Sequence, residues 1–183
     1  MKIILVTLVA ALSCQIATAG DHAPEKIIPM LKGAKISLLD GITLAEKSGA
    51  VATSAKFEIN DSGTLELSVY TVPEGLQIEA ENATLTELSG DASQDKFTFH
   101  EKIFTDKEHI ARAAVHMTII QLSKLSLREI LQIATAEKKG VAIDVRNPMV
   151  RNGVPVADVV MSLPNGQAAT VSVNLATGSV QGK

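Results

Sequence analysis

The sequence predicts an α+β protein made of two tandem units, each with one helix packed on an antiparallel sheet of three or four strands. Two observations predict this class. The segment at 35–40, KISLLD, recurs 89 positions later at 124–129 as KLSLRE. After each copy, the apolar residues change from helical spacing to the alternation typical of strands. A composition with 46% hydrophobic and 20% charged residues is typical of a folded globular chain.

Each copy carries the signals that begin and end a helix. Ser37 and Ser126 are each followed, three positions later, by a carboxylate, which is the spacing of a capping box. Apolar residues at helical spacing follow, and the two segments stop near Gly49 and Gly140. A helix of about three turns is therefore expected at the start of each unit.

Three strands are expected after each helix. In the first unit the alternating apolar residues are Phe57, Ile59, Leu65, Leu67, Val69 and Ile78, with turns at 60–63 and 73–75. The third strand of this unit is expected to end at 82–84. In the second unit the strands are expected at 141–145, 156–163 and 169–175, with turns at 151–153 and 164–166.

The segment between the units is more than a linker. Residues 89–95 are polar and are interpreted as a turn, and 96–104 alternate as a strand that closes the first sheet or joins the units. Thr105 and Glu108 have capping-box spacing and predict a further helix, with one apolar face at Ile110, Ala114, Met117 and Ile120. A shorter segment, 24–31, leads into the first unit. The packing of the two sheets stays open.

The N-terminus predicts export. Lys2, an uncharged run at 3–12 and an A-x-A site at 17–19 are typical of a secretory signal peptide. The expected organisation is a signal at 1–19, a first unit at 20–95 and a second unit at 96–183 that includes its lead-in strand and helix. A periplasmic or secreted location follows, without a transmembrane helix, because no later apolar run approaches about 20 residues.

Cys14 is the only cysteine, and it lies inside the signal region. Cleavage after Ala19 would leave a chain without disulfides or thiol chemistry. The alternative is lipidation at Cys14, because residues 10–14 loosely fit the site at which bacterial lipoproteins are cut. The A-x-A site is the cleaner match.

Composition argues against nucleic-acid binding. The chain has four Phe, one Tyr and no Trp, too few aromatic side chains for a base-stacking platform. A net charge of −3 and a pI near 5.8 give no basic footprint for phosphates.

The A-K-I-S-L run before a helix, the alternating strands and the N-x-A-T-G-x-V ending at 174–180 resemble the PepSY domain, a bacterial extracytoplasmic module often found in tandem. The resemblance covers 35–88 and 124–180. The first unit departs from it at Leu85, where Gly is usual, and at Gly41, where an apolar side chain is expected. The resemblance implies a module that binds or inhibits peptidases, and it supplies no catalytic residue.

The candidate catalytic and metal motifs fail on inspection. The segment at 100–104, HEKIF, begins like a zinc-protease motif, but Phe104 replaces the second His and the stretch alternates like a strand. The S-x-x-K spacing of Ser93 and Lys96 lies in a polar turn without partner motifs. His109 and His116 share a helix face with Arg112, which would repel a cation, and are interpreted as partly exposed surface residues. We therefore expect no catalytic, cofactor or metal site.

Charged residues alternate along the predicted strands. The first unit carries Glu58, Glu66, Glu79, Glu81 and Glu87, and the second carries Arg146 and Arg151 near Asp144 and Asp158. Both sets are interpreted as solvated sheet faces. The functional alternative is an acidic face or an edge strand that receives a partner peptide.

These observations predict an exported, non-catalytic protein-binding module, with inhibition or regulation of a peptidase as its candidate activity. The alternative is a periplasmic protein that binds a small ligand or a metal, either in the cleft between the units or at His109 and His116. An enzyme is the third hypothesis and ranks last, because no catalytic constellation occurs in the sequence.

Overall fold

The structure, a computed structural model, describes residues 23–74, 84–146 and 148–181. Within these ranges it has four α-helices and nine strands in one antiparallel sheet, which confirms the α+β class. The predicted signal region and Cys14 lie outside the described residues. In the part of the chain that is described, no helix combines the length and apolarity needed to cross a membrane.

The elements follow one another from α1 to β9. The helices are α1 (Pro24–Ile27), α2 (Leu38–Ala45), α3 (Lys107–Leu122) and α4 (Leu127–Glu137), with 3-10 turns at Ile28–Gly33 and Glu46–Ser48. The strands are β1 (Val51–Ile59), β2 (Leu65–Val72), β3 (Leu85–Asp91), β4 (His100–Phe104), β5 (Val141–Val145), β6 (Met149–Arg151), β7 (Val154–Ser162), β8 (Ala168–Asn174) and β9 (Val180–Gln181).

The capping boxes predicted at Ser37 and Ser126 are both present. The Ser37 hydroxyl accepts from the Asp40 amide at 3.1 Å, and the Asp40 carboxylate accepts from the amide and the hydroxyl of Ser37. Ser126 and Glu129 repeat this arrangement at α4, where the Ser126 hydroxyl accepts from the Glu129 amide at 3.3 Å. These bonds satisfy backbone donors that a helix start leaves unpaired. Helix α2 runs on through its 3-10 turn and stops at Gly49, whose φ of 85° is left-handed.

The strands form a single continuous sheet. Their order is β4-β3-β2-β1-β5-β7-β8-β9, and β6 also pairs with β7. The two halves of the sheet, β1–β4 and β5–β9, meet at β1 and β5, which pair at only two positions, Ala55 with Val145 and Lys56 with Asp144. Strand β4, assigned to the second unit in the prediction, pairs with β3 and belongs to the first half. The question that the sequence left open is therefore answered, because the two sets of strands share one sheet.

Helices α2 and α4 lie side by side on one face of this sheet. Their buried apolar residues, including Ile42 and Ile130, belong to one main core cluster with residues of β1, β2, β5, β7 and β8. The Arg128 side chain of α4 also lies 3.0 Å from the Glu46 carboxylate at the end of α2. One apolar core thus serves both halves of the sheet.

The third strand predicted for the first unit lies mostly outside the described residues. Ile78 lies outside the described residues, and β3 starts at Leu85, just after the predicted strand end at 82–84. Residues 89–91, predicted as a turn, continue β3 and pair with β2, so that part of the prediction is wrong. The ladder to β2 outweighs the local turn preference of Ser, Gly and Asp.

Only the second half of the predicted 96–104 strand is observed. It is β4, an edge strand that pairs with β3 and closes the first half of the sheet. The side chains of Phe97 and Phe99 precede it and meet edge to face, with ring centroids 4.9 Å apart. Both are partly buried against the main core, so their alternation reflects packing rather than a strand ladder.

The turns that follow β3 and β8 are held by the same kind of hydrogen bond. Asp91 Oδ1 accepts from the Ser93 amide, and Asn174 Oδ1 accepts from the Ala176 amide, both at 2.9 Å. Asp91 and Asn174 thus occupy equivalent positions, whereas the predicted strand end at 82–84 lies mostly outside the described residues. An Asp and an Asn side chain make the same turn bond, which hides the correspondence from a comparison of letters.

Lys35 and Lys124, each two residues before the N-cap of a helix, make equivalent backbone hydrogen bonds. The Lys35 amide donates to the Ala92 carbonyl at 2.7 Å, and the Lys124 amide donates to the Leu175 carbonyl at 3.4 Å. Each bond fixes the start of a helix to the end of a strand of the same half. Duplication of the sequence itself stays a prediction.

Helix α3 differs from its prediction in two respects. Its N-cap is Asp106, whose side chain accepts from the His109 amide at 3.1 Å, so the capping box predicted from Thr105 is wrong by one residue. Its buried residues are Ala113, His116, Met117 and Ile120, so the predicted apolar stripe is partly wrong: Ile110 and Ala114 are only half-buried. The helix packs against β1 and β3 and forms a second apolar cluster there.

Candidate functional site

The cleft of interest lies over the place where β1 meets β5. It has a volume of about 750 Å³ and is lined by residues of α1, α3 and the strands β1 to β6 or their ends. We call it the junction cleft. Lys56 on β1 and Asp144 on β5 form one of the two pairs that join the halves of the sheet, and both line it.

Lys56 and Tyr70, which line the junction cleft, belong to a hydrogen-bonded polar layer on the same sheet face. Lys56 Nζ lies 2.6 Å from Glu58 Oε2, and the Ser68 hydroxyl donates to the other oxygen of Glu58 at 2.6 Å. The Tyr70 hydroxyl donates to Glu87 at 2.8 Å. Burial first, and then the Glu87 hydrogen bond and nearby carboxylates, raise the pKa of Tyr70 well above its ordinary value. Tyr70 is therefore a neutral group at physiological pH.

The interpretation of the first-unit carboxylates as a simply solvated face is incomplete. Glu58, Glu66 and Glu87 are only partly exposed, and two of them hold the polar layer together. Glu79 and Glu81 lie outside the described residues. Strand alternation did place the side chains on one face, but the packing of α3 over that face could not be read from it.

The first wall of the cleft is the N-terminal half of α3. The His109 ring stacks on Phe104, with centroids 4.1 Å apart and planes 13° apart, and its Nδ1 lies 2.7 Å from Asp106 Oδ2. One turn further on, Arg112 lies beside Glu108, with an N–O distance of 2.9 Å. His109 is thus fixed by its ring contact and by a carboxylate, whereas the Arg112 side chain is 47% exposed.

His116 occupies the deepest position on this wall. Its residue exposure is 8%, and its Nδ1 is buried without a hydrogen-bond partner among the described residues. The prediction of a partly exposed surface histidine is wrong here, because the buried stripe of α3 includes position 116. Burial, followed by the positive charge of Arg112, lowers the pKa of His116 from 6.5 to about 4. His116 is neutral at pH 7.

The second wall comes from the ends of β5 and β6. Arg146 Nε donates to Asp144 Oδ2 at 3.2 Å, and the Arg146 side chain is 52% exposed. Met149 provides an apolar surface beside them. Ala23 and Pro24, at the start of α1, also line the cleft.

A second ion pair lies on the same sheet face, away from the junction cleft. Arg151 donates to Asp158 Oδ2 at 2.7 Å, and the Ser172 hydroxyl donates to Asp158 Oδ1. Burial alone would raise the pKa of Asp158, but the hydrogen bonds from Arg151 and Ser172 hold it below its ordinary value. Because both oxygens of the Asp158 carboxylate accept hydrogen bonds within the network, we interpret it as structural.

The other candidate motifs are not brought into this site. His100 and Glu101 are exposed on β4, which confirms that this stretch is a strand and not the helix of a zinc protease. Ser93 lies in the turn after β3 and donates to Asp91. Within the described ranges, no group of three or more His, Cys, Asp or Glu side chains is placed to hold a metal ion.

Sequence reasoning named most of the charged cleft residues but did not assemble them. Lys56 with Glu58, and Asp144 with Arg146, are spaced by two, which on a strand places both side chains on one face. This spacing could have indicated a polar patch. Tyr70, the chain's single tyrosine, could have been found by the same alternation. No local signal places α3 over them.

Comparison with known proteins does not assign the chain to a family. No family model matches the chain, and no curated protein matches it. A solved structure described as a "putative lipoprotein" from Clostridium difficile 630 is similar to the chain at 14% sequence identity and a TM-score of 0.42. The similarity covers 81% of this chain and 92% of that one. A likeness this weak says nothing about function, and the PepSY resemblance stays a prediction from the residues.

Proposed function

We propose that the chain is an exported, non-catalytic binding module whose partner is another exported protein, with a peptidase as the first candidate. Export is supported by the signal at 1–19, with Ala19 cleavage preferred to lipidation at Cys14 and a periplasmic or secreted location. The peptidase, with inhibition or regulation as the activity, is supported by the PepSY resemblance.

The observation that carries binding is the junction cleft. Its volume of about 750 Å³ lies in the range of about 300–1,000 Å³ that is usual for ligand sites. Its lining combines the cationic side chains of Arg112 and Arg146 with apolar surface from Phe104 and Met149. Such a mixed lining suits a peptide segment, which presents both charged and apolar groups.

The bonding within the cleft favours binding over catalysis. A hydroxyl nucleophile needs a histidine or another base within hydrogen-bond reach. Among the described residues, neither His109 nor His116 is hydrogen-bonded to a hydroxyl: His109 Nδ1 contacts the Asp106 carboxylate, and His116 Nδ1 has no partner. The neutral, hydrogen-bonded Tyr70 fits a recognition surface.

A pair of photo-crosslinking variants tests the proposal. A photoreactive amino acid replaces Met149, which faces the cleft, and in a matched control it replaces Val150, the next residue of the same strand, whose side chain points to the opposite face. We expect one exported protein of the source organism to crosslink at 149 and much less at 150. No adduct, or equal adducts at both positions, would contradict a partner in the cleft.

The identity of the partner is tested separately. Once the crosslinked protein is purified, its peptidase activity is measured with and without the unmodified chain. Inhibition that saturates at one equivalent supports the peptidase proposal. A captured protein without peptidase activity would overturn that part and leave protein binding in place.

The second candidate function is binding of a small ligand or a metal, and the unpartnered His116 favours it. A single ion shared by His109 and His116 is not favoured, because seven residues of helix rise about 10.5 Å. Two nitrogens on one zinc ion lie at most about 4.2 Å apart, given bonds of about 2.1 Å. Native mass spectrometry with added Zn²⁺ tests this: a bound ion lost on replacing both histidines would favour the metal hypothesis over ours.

A further inference from the structure

We propose that the junction cleft recognises the C-terminal carboxylate of an extended peptide, held between Arg112 on α3 and Arg146 at the end of β5. This inference deepens the proposed function and rests on it, because it names the part of the partner that enters the cleft. Three features of the cleft support it: unused arginine donors, a buried histidine and an apolar margin.

The two arginines have spare hydrogen-bond donors. A guanidinium carries five N–H groups in a planar fork that matches a carboxylate. Arg112 uses one terminal nitrogen on Glu108, and Arg146 uses Nε on Asp144. Both side chains are about half exposed, so the remaining donors are accessible from the cleft. They belong to opposite walls, so an anion bound by both would bridge α3, which packs on β1 and β3, and the end of β5.

His116 contributes a neutral donor at the base of the cleft. Its Nδ1 is buried without a partner, so a proton there would be an orphaned buried N–H, which is rare in proteins. The proton is therefore better placed on Nε2, and because His116 lines the cleft, we infer that this nitrogen is the one that meets a ligand. A donating Nε2–H suits a carboxylate or a peptide carbonyl oxygen.

The negative charge already in the cleft limits the charge of its ligand. Asp144 lines the same cleft and is paired with Arg146. A doubly charged phosphate would be repelled by Asp144 more strongly than a singly charged carboxylate. The apolar side chains of Leu85, Phe104 and Met149 at the margin would contact peptide side chains, but they would offer little to a small hydrophilic acid.

The test compares two peptide pools by NMR on the ¹⁵N-labelled exported chain that begins at Gly20. Both pools are N-acetylated tetrapeptides randomised at every position without Asp or Glu; one pool ends in a free carboxylate and the other in an amide. We expect the free-acid pool to shift the ring signal of His116 and the amides of Arg112 and Arg146, with saturation. The amide pool should need at least a tenfold higher concentration.

Substitutions locate the effect. R112Q and R146Q should each weaken the free-acid pool about tenfold, and H116L should remove the ring signal and weaken binding less. R128Q is the matched control, because Arg128 is also a half-exposed arginine in an ion pair but belongs to the contact between α2 and α4. Unchanged binding by R112Q and R146Q would overturn the proposal.

The remaining outcomes separate this inference from the proposed function. Equal binding of both pools would overturn carboxylate recognition, and glutarate binding as tightly as the free-acid pool would replace the peptide with a small free acid. No shift with any probe would overturn the inference entirely. In each of these cases, a crosslink at 149 and none at 150 would leave protein binding standing, whereas its absence would remove both.

Discussion

At the scale of single residues, His116 links acid pH to stability. The unfolded chain takes up a proton at His116 near pH 6.5, whereas the folded chain does so only near pH 4, because the ring is buried beside Arg112. The unfolded state therefore binds more protons between these values, and stability falls as the pH is lowered through that window. Above pH 6.5 the penalty is absent.

The variant H116L tests this linkage. Leu is close to His in size and cannot be protonated, so the variant should be at least as stable as the wild type at pH 7. Between pH 7 and pH 4 it should lose less stability than the wild type, by about 1–2 kcal/mol, since solvent in the cleft screens part of the shift. Urea unfolding across this range measures it. Parallel curves for the two proteins would show that His116 is not the titrating group.

Gly41 is a second residue whose role only packing explains. A Cβ atom built there would meet a terminal methyl of Leu67 far inside contact distance, and Leu67 is fully buried. G41A gains helix propensity of up to about 1 kcal/mol but overpacks the core at about 1–3 kcal/mol. We expect a net loss of about 1 kcal/mol in thermal unfolding.

The control for G41A is a substitution at Gly33, and the change that should relieve the clash is a smaller side chain at position 67. Gly33 has open space around it, so G33A should change stability by no more than a few tenths of a kcal/mol. In a double-mutant cycle, adding L67A to G41A should cost less than the sum of the two single changes. Simple additivity would contradict the clash.

At the scale of elements, α3 shows that the cap is set by geometry and not by spacing alone. Thr105 and Glu108 have the letters of a capping box, yet Asp106 is the residue whose side chain accepts from the helix. We expect D106A to lower the melting temperature by about 2–4 °C. T105A should leave it unchanged, and a larger loss from T105A than from D106A would restore the original prediction.

At the scale of the whole molecule, one core joins both halves of the sheet. Leu175, just after β8, is fully buried in the main core that also contains Leu67 of β2. L175A should cost about 2–5 kcal/mol. Because the halves share that core, hydrogen exchange of β1 and β2 amides should accelerate together with that of β7 and β8. The exposed Ile103 supplies the control I103A, which should alter neither. Acceleration confined to β7 and β8 would indicate independent halves.

How much could be predicted differs between elements for identifiable reasons. The helices that start at Ser37 and Ser126 were predicted correctly, because a capping box is a contact between residues three apart. The strands of the second half also agree with their alternation. The end of β3 was not predicted, because Ser89 to Asp91 have turn propensities and are held extended only by pairing with β2.

In the candidate site, too, local features were predicted from the sequence and long-range contacts were not. Alternation placed Glu58, Asp144 and Arg146 on sheet faces, and Lys56 was missed. The meeting of these side chains depends on the pairing of β1 with β5, which are more than 80 residues apart in sequence. The burial of His116 depends on the packing of α3 against the sheet, which buries Ala113 and His116 together with the predicted Met117 and Ile120. Both are long-range effects that no window of sequence contains.

The sequence by itself determined the α+β class, the two capped helices and the alternation of the strands, because propensity, capping and turn bonds act between residues close in the chain. Only the tertiary structure decided that the strands form one sheet, that β1 and β5 join its halves, and that α3 encloses a cleft over that junction. The physical reason is that the burial of apolar surface, which stabilises the fold, depends on which surfaces come into contact. Those surfaces come from distant segments, and their contacts select among local preferences that are nearly equal in energy.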